Sequence, residues 1–411
     1  MKVCVIGGGA SGMMCATMIA RKGHEVTLFE KNEKLGKKIY ITGKGRCNVT
    51  NIATGDEFLK NVVNGKKFVM GAITRFNSND THNFFEELGV KLKIERGGRV
   101  FPESDKSSDI IKALEKAMRW AGVEVKLNSN VQEIVADEGE VTSVIIDGES
   151  FSFDAVVVAT GGVSYPATGS TGDGYEFAKS VGHSIVNPKP ALCALLTNDD
   201  DIQELQGLSL KNVRLTAKEQ GKIVYESEIG EMLFTDRGIS GPIVLSGSSY
   251  INKFEPSNID LFIDFKPALS EEALLNRIDR DIEKLKAKQF SSLIEGFLPK
   301  SLVKVFAKRL GVNLTFKANQ LPREKRKNLT HLLKNFSLSL KSLENFNSAI
   351  ITSGGVNLKE INPKYMKSKL ISGLYFVGEV LDIDALTGGY NLQLAFATAV
   401  TCASDFKDLR G

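Results

Sequence analysis

Two short apolar runs open the chain, Lys2–Ile6 and Glu25–Phe29, unbroken in the manner of strands covered on both faces. Between them, Met13–Arg21 reads as a helix, so the first thirty residues predict one strand–helix–strand unit. Buried-strand character returns at Asp154–Ala159, which runs into Thr160, Gly161 and Gly162, and at Leu374–Val377, which runs into Gly378, Glu379 and then Asp382. Residues 66–96 read as helical and then extended. Asp109–Ala121 carries helical spacing that Gly122 stops, and Glu124–Leu127 and Val141–Ile146 read as strands, with Asp147 and Gly148 turning the chain towards Phe151. Thr171–Gly174 opens a further helix. The stretch Asn187, Pro188, Lys189, Pro190 marks a boundary.

From Ala191 to about Phe265 the pattern changes to short alternating strands, Lys222–Ser227 and Asp260–Phe265 among them, with a dense turn cluster over Phe234–Pro242. Pro267 marks a second boundary. Ala268–Leu340 then carries helical patterns, as in Ser292–Leu310, and Thr387–Leu392 opens the helix that closes the chain. Ligands of open α/β sheets lie beyond the carboxyl ends of the strands, so the last strand end belongs at the same crevice as the first. The two ends of the chain build one α/β domain, with the middle inserted.

The turn after the first strand reads Gly7-Gly8-Gly9-Ala10-Ser11-Gly12, a G-x-G-x-x-G sequence opening a helix. Such a turn brings backbone N–H groups and the positive end of the helix dipole against a pyrophosphate. Glu30, at the end of the second strand, stands near where this fingerprint places an acid on a ribose hydroxyl. An acid there disfavours a 2′-phosphate, which leaves FAD or NAD rather than NADP. Lys31–Asn51 follows, with Lys34, Lys37, Lys38, Lys44 and Arg46 interleaved with Gly36, Gly43 and Gly45. That spacing suits a loop lying against a cofactor.

Composition narrows the class. A length of 411 residues gives two or three domains, and 42% hydrophobic residues supply their cores. The five cysteines are odd in number and contain no C-x-x-C, which argues for a reducing compartment and against a dithiol redox centre. Four well-separated histidines make no metal-ligand pattern. The first apolar run is interrupted by glycines and lacks a cleavage site, and no run reaches the length of a spanning helix, so a cytoplasmic protein without a membrane partner is expected. The net charge of +4 is uneven, for Glu271–Leu340 holds fifteen Lys and Arg against seven Asp and Glu.

On the residues Gly7–Gly12, Thr42–Asn51, Phe234–Pro242 and Gly378–Gln393, the chain resembles the YhiN/BaiN-like family of bacterial NAD(P)/FAD-dependent oxidoreductases, which includes aminoacetone-oxidase-like flavoproteins. The resemblance runs over nearly the full length. It implies a Rossmann-type FAD-binding domain from both chain ends (1–190 and 350–411), an inserted β-barrel-like domain (191–267 and 341–349) and a small basic helical domain (268–340). It further implies non-covalent FAD. Gly7, Gly9, Ser11 and Gly12 would hold the pyrophosphate, Glu30 the adenosine ribose, and Val131 would meet the adenine. Gly378 and Glu379 would approach the ribityl chain and pyrophosphate, and Ala10, Lys31, Lys38, Thr160, Gly161 and Asp382 would be further cofactor contacts. Gly45, Arg46, Cys47 and Asn48 would lie along the isoalloxazine, and Gly389, Tyr390, Asn391 and Leu392 at its pyrimidine edge. Thr171–Gly174 is also similar to fumarate-reductase-type flavoproteins, but their paired His and Arg set and His-Thr attachment sequence are missing.

FAD carries the chemistry, and the protein supplies binding, orientation and field. The expected activity is hydride transfer between the flavin and a small organic substrate held between the FAD and β domains. With one dinucleotide fingerprint, NAD(P)H as electron donor would have to dock transiently. No general base is assigned; Tyr390, Arg46 and Cys47 are candidates for catalysis, each with a plain packing or pairing alternative. A flavoprotein acting on nucleic acid through Arg323, Lys325, Arg326 and Lys327 is the less favoured alternative. Oligomeric state has no signature in the sequence.

Overall fold

The computed structural model describes residues 1–285 and 288–410. The chain divides into two compact units, Met1–Pro190 with Phe346–Gly411, and Ala191–Asn345. Among the described residues no helix is long and apolar enough to cross a membrane.

The first unit is built on a seven-stranded sheet in the order Ile361–Asn362, Lys367–Ser368, Leu374–Phe376, Ala155–Val158, Lys2–Ile6, Glu25–Phe29, Glu124–Lys126. The last five run parallel, while antiparallel pairing adds the first two. Ala155–Val158 is buried at every position, as suits a parallel strand covered on both faces. From Lys2–Ile6 the chain goes to Glu25–Phe29 on one side and Ala155–Val158 on the other. The sheet therefore switches direction beside the glycine turn, where open α/β sheets form their ligand crevice. The first helix, Ala10–Ala20, packs on Ser107–Ala121 and on the closing helix Tyr390–Ala403. Ser107–Ala121 stops as its sequence predicts, with Gly122 left-handed at φ +83°. The hairpin at Asp147 and Gly148 forms as expected, joining Glu140–Ile146 to Glu149–Ser152. The boundary stretch Asn187–Pro190 ends where the first unit's opening segment does, and it lies inside a strand, Ile185–Ala191, paired with Ile351–Val356. A two-stranded ribbon leaves one edge unpaired, which tolerates the two prolines.

His183 pins the antiparallel margin of this sheet. Its side chain has no exposed surface; Nε2 lies 2.8 Å from Ser368 Oγ and Nδ1 3.1 Å from Glu360 Oε2. Ser368 Oγ already accepts from the Leu370 and Ile371 amides, so its proton goes to Nε2 and the Nδ1–H donates to Glu360. Burial pulls the imidazole pKa below its ordinary value, against the hydrogen bond to Glu360. A lowered histidine stabilises the fold above its unfolded pKa of about 6.5 and loses that contribution as pH falls below it, by at most about 1.4 kcal/mol per pH unit. The first unit is accordingly expected to melt at lower temperature at pH 5.5 than at pH 7.5, and His183→Gln to flatten that dependence. Calorimetric scans of both proteins across this range check it.

The second unit carries a seven-stranded antiparallel sheet in the order Lys222–Glu226, Ser209–Glu219, Gly230–Phe234, Gly238–Ser240, Leu195–Thr197, Phe336–Leu343, Ile259–Asp264. Ile259–Asp264 also pairs with Ser209–Glu219, which closes the sheet on itself as a barrel. Two expectations are corrected here. The helical stretch 268–340 ends early, because Phe336, Leu338 and Leu340 alternate inward from a strand that completes the barrel. Ser292–Leu310 is two helices, Phe290–Glu295 and Lys300–Leu310, since Pro299 has no N–H to continue the first and suits the start of the second. A helix absent from the sequence reading, Pro242–Ile251, follows the turn cluster. The barrel and the helices of this unit share one core, in which Phe306 stacks on Phe336 at 5.4 Å and Phe265 meets both edge-on.

Candidate functional site

The glycine turn packs hard against the neighbouring strand end. A Cβ on Gly7 would stand 2.6 Å from the Ala159 carbonyl oxygen, and one on Gly12 would collide with the Gly7 carbonyl oxygen. Gly9 differs, because a Cβ there would meet nothing within 4 Å. The helix it precedes has no side-chain cap and no acid in its first turn. Its N–H groups and dipole are thus available to an anion in the space beside Gly9. Glu30, buried at the end of its strand, accepts from the Gly8 amide at 2.7 Å and from the Asn32 amide at 2.8 Å. Lys31 next to it donates to Thr171 and Asp173 at the second glycine-rich helix start.

Other predicted residues converge on this turn. Gly378 lies against the Ser11 side chain, so the last strand end meets the start of the first helix. Gly174 approaches Thr160 and Val380, and Gly161 approaches Ser170. Asp382 returns to the sheet through its amide, which donates to Val356. Glu379 accepts from the Thr352 amide (2.8 Å), Ser164 Oγ (3.0 Å) and Lys38 Nζ (2.8 Å), and Lys38 also reaches Ser164 Oγ at 2.6 Å. Lys38 balances the Glu379 carboxylate. Ser164 and Thr352 were not named from sequence, and nothing local marks them, for their partners lie far along the chain. Val131 is buried at the start of its strand, on the three-stranded sheet beside the crevice-forming one.

The closing helix starts the same way as the first. Gly389 sits at φ +97°, no side chain caps it, and its first turn holds no acid. A Cβ on Gly389 would collide with the Thr50 carbonyl oxygen, and Asn51 Nδ2 donates to the Gly388 carbonyl at 3.1 Å. The Thr42–Asn51 loop therefore lies against this helix start. Asn391 holds the approach to the helix through both backbone groups of Ala385, at 2.9 and 2.8 Å, and Leu392 packs on the core. Tyr390 meets Phe58 edge-on at 5.1 Å, and burial raises the pKa of its phenol, which stays protonated at neutral pH.

Within that loop Lys44 and Cys47 take left-handed backbone, at φ +59° and +61°, as do Gly43 and Gly45. Arg46 is engaged by protein carboxylates: it bridges Glu95 and Asp105 and lies over the Phe101 ring at 4.2 Å. That geometry favours the pairing alternative over substrate binding. Cys47 is fully buried and its thiol is pushed up to about 12, so it is no thiolate nucleophile at neutral pH. Buried polar atoms without a protein partner include Asn48 Oδ1, Thr160 Oγ1 and, on the helix Asp173–Ser180, Tyr175 OH. Orphans of this kind, the open side at Gly9 and two uncapped helix starts fit a dinucleotide with an anionic centre.

Comparison with known proteins agrees with that fit. The chain is 31% identical over 405 residues to the 3-dehydro-bile acid delta(4,6)-reductase of Clostridium scindens, covering 97% of each. It is 32% identical over 405 residues to the ribosomal RNA dihydrouridine synthase of Haemophilus influenzae, covering 97% of this chain and 96% of the relative. Its fold is similar to that of a 3-ketosteroid delta1-dehydrogenase from Sterolibacterium denitrificans, solved with 1,4-androstadiene-3,17-dione, with a TM-score of 0.52 at 12% identity over 98% of both chains. The Rossmann-domain model of the HI0933-like proteins matches residues 1–405, and the chain belongs to that family of flavoprotein oxidoreductases.

Proposed function

We propose that the protein is an FAD-dependent reductase that delivers hydride, with NAD(P)H as donor, to a carbon–carbon double bond conjugated to a carbonyl. The observation that carries this is the pair of uncapped, acid-free helix starts on two helices that pack on each other, Ala10–Ala20 and Tyr390–Ala403. One suits a diphosphate. The other suits the negative charge of a reduced flavin ring. The two full-length relatives support the acceptor, since both names describe saturation of such a bond: the 4,6 unsaturation of a 3-dehydro bile acid, and uridine becoming dihydrouridine.

FAD, when bound, supplies the hydride chemistry. In this reading Gly7, Gly9, Ala10, Ser11 and Gly12 bind the diphosphate through backbone N–H groups, and Glu30 takes the adenosine ribose. Lys38 neutralises Glu379, so that the carboxylate does not oppose the diphosphate. Arg46 anchors the Gly45–Asn48 loop to Glu95 and Asp105 and keeps it against the ring. Tyr390, with its protonated phenol, is the candidate donor of the proton that the second carbon needs. The domain assignment is part of the proposal: the first unit binds FAD, and the second is a barrel with a helical appendage.

A second reading makes the acceptor a uridine in ribosomal RNA. One full-length relative carries that name, and the helical part of the second unit is basic.

Anaerobic mixing of the yellow protein with NADH and NADPH tests the donor. Bleaching within seconds is expected, and return of colour on adding a 3-oxo-4-ene steroid or protein-free ribosomal RNA identifies the acceptor. A flavin that neither nicotinamide bleaches overturns the donor assignment, and a purified protein without flavin overturns the whole reading.

A further inference from the structure

We propose that the solvent face of the helix Lys300–Leu310 binds the phosphate backbone of RNA; this rests on the second reading above. Half of the densest basic run of the sequence is occupied by the fold, and Arg323 and Lys327 stay exposed. Lys325 Nζ donates to the Leu310 carbonyl at 2.6 Å, capping that helix, and Arg326 reaches the Leu321 carbonyl and Asp279. Arg309 is likewise held by Asp201 and the Ser337 carbonyl.

Lys300, Lys304 and Lys308 are different. They recur every four residues, all exposed, on a helix that contains no Asp or Glu and turns Leu302, Val303, Phe306 and Leu310 into the core. Lysines four apart repel one another, and Lys300 in the first turn opposes the helix dipole. A merely solvated face would gain from an acid at one of these places. The nearby acids lie in the segment 199–204: Glu204 stands 3.9 Å from Lys304 with both side chains more than 70% exposed, a loose pairing that water screens, and Asp201, already paired with Arg309, also feels Lys308. The buried face fixes the helix, so the three lysine stems rise from a fixed row about 12 Å long, from a rise of about 1.5 Å per residue.

The chemistry of the row selects its partner. Lysines act as point charges towards phosphates and read no base edges, so binding through them is insensitive to sequence and sensitive to salt. A bilayer would need apolar side chains beside the charges, and the fully exposed positions of this helix are the three lysines and Ser301. The row positions an RNA for a site elsewhere on the protein and takes no part in hydride transfer.

The test is titration of protein-free ribosomal RNA by the flavin-loaded full chain, followed by anisotropy between 50 and 300 mM KCl. Against wild type, the triple variant Lys300→Glu, Lys304→Glu, Lys308→Glu is expected to bind about 10–100-fold more weakly at 100 mM. Its log–log salt slope should be shallower by about two to three, as for the loss of three phosphate contacts. A control with equal charge change at other exposed lysines of the unit, Lys211→Glu, Lys222→Glu, Lys253→Glu, should stay near wild type. All three proteins should keep their flavin and its bleaching. If wild type binds and the two triple variants weaken alike, net charge explains the effect and the surface is wrong. Wild-type binding to phosphatidylglycerol vesicles that the first triple variant abolishes, with RNA binding intact, assigns the row to a membrane and overturns the proposal. Failure of wild type to bind RNA removes the second reading together with the surface, and leaves the flavin reductase untouched.

Discussion

Replacing Gly9 by valine should yield a folded, colourless protein. The three glycines of the fingerprint differ in what a side chain would meet. At Gly7 and Gly12 it would meet backbone, the Ala159 and Gly7 carbonyl oxygens, so Gly12→Ala must displace the strand–helix packing itself. Gly9 has φ −82° and ψ −171°, which valine adopts readily, and open space where its side chain would begin. The methyl groups of Gly9→Val would fill the approach to the uncapped helix start and leave the chain around it unstrained. FAD affinity is expected to fall at least about 100-fold, equivalent to about 2.7 kcal/mol, while the melting temperature of the flavin-free protein stays within about 2 °C of wild type. Flavin absorbance of the purified variant, isothermal titration with FAD and a thermal scan check this. A Gly9→Val protein that purifies with a full complement of flavin would show that the diphosphate does not lie against this turn.

Much of this site is legible in the sequence because backbone geometry makes it so. Gly7, Gly12 and Gly389 stand where a Cβ cannot, and they repeat the same device at the starts of two helices that lie side by side. The uninterrupted apolar runs Ala155–Val158 and Leu374–Phe376 announce parallel strands in the same way. Other features have no local signature. Lys38 and Glu379 each stand out by residue type, yet their pairing spans 341 positions and needs Ser164 and Thr352, which no motif singles out. Arg46 reads as a candidate for catalysis beside the flavin until folding sets Glu95 and Asp105 around it. The basic stretch shows the converse, for charge density along the chain points to Arg323–Lys327, whereas folding engages two of its four cations, Lys325 and Arg326, and leaves all three lysines of the sparser row at 300, 304 and 308 exposed. The strand Phe336–Leu343 escaped because alternation is hard to recognise next to a helix whose apolar spacing runs up to it.

Gln393 is expected to be the most costly polar side chain to lose in the first unit. It is wholly buried in the first turns of the closing helix, where its Oε1 accepts from the hydroxyls of Thr50 and Thr81, both at 2.7 Å, and its Nε2 donates to the Phe76 carbonyl at 2.9 Å. The clamp joins the helix start to the strand that Gly389 touches and to two further segments. Gln393→Leu keeps the volume and strands two hydroxyls and a carbonyl in a dry interior, each at about 1–3 kcal/mol. Partial relaxation brings the expected loss to about 3–5 kcal/mol, or about 6–20 °C in the melting temperature of a unit this size. Weaker flavin binding should accompany it, because the helix start loses its anchor. The mechanism has its own signature, since adding Thr50→Val and Thr81→Val to Gln393→Leu removes both stranded hydroxyls and leaves only the Phe76 carbonyl. The triple variant should therefore be more stable than the single one by roughly half of the loss or more. Thermal unfolding of wild type, the single and the triple variant decides between unsatisfied hydrogen bonds and simple repacking: a triple variant no more stable than Gln393→Leu would mean that the glutamine acts through its shape and not through the three groups it satisfies.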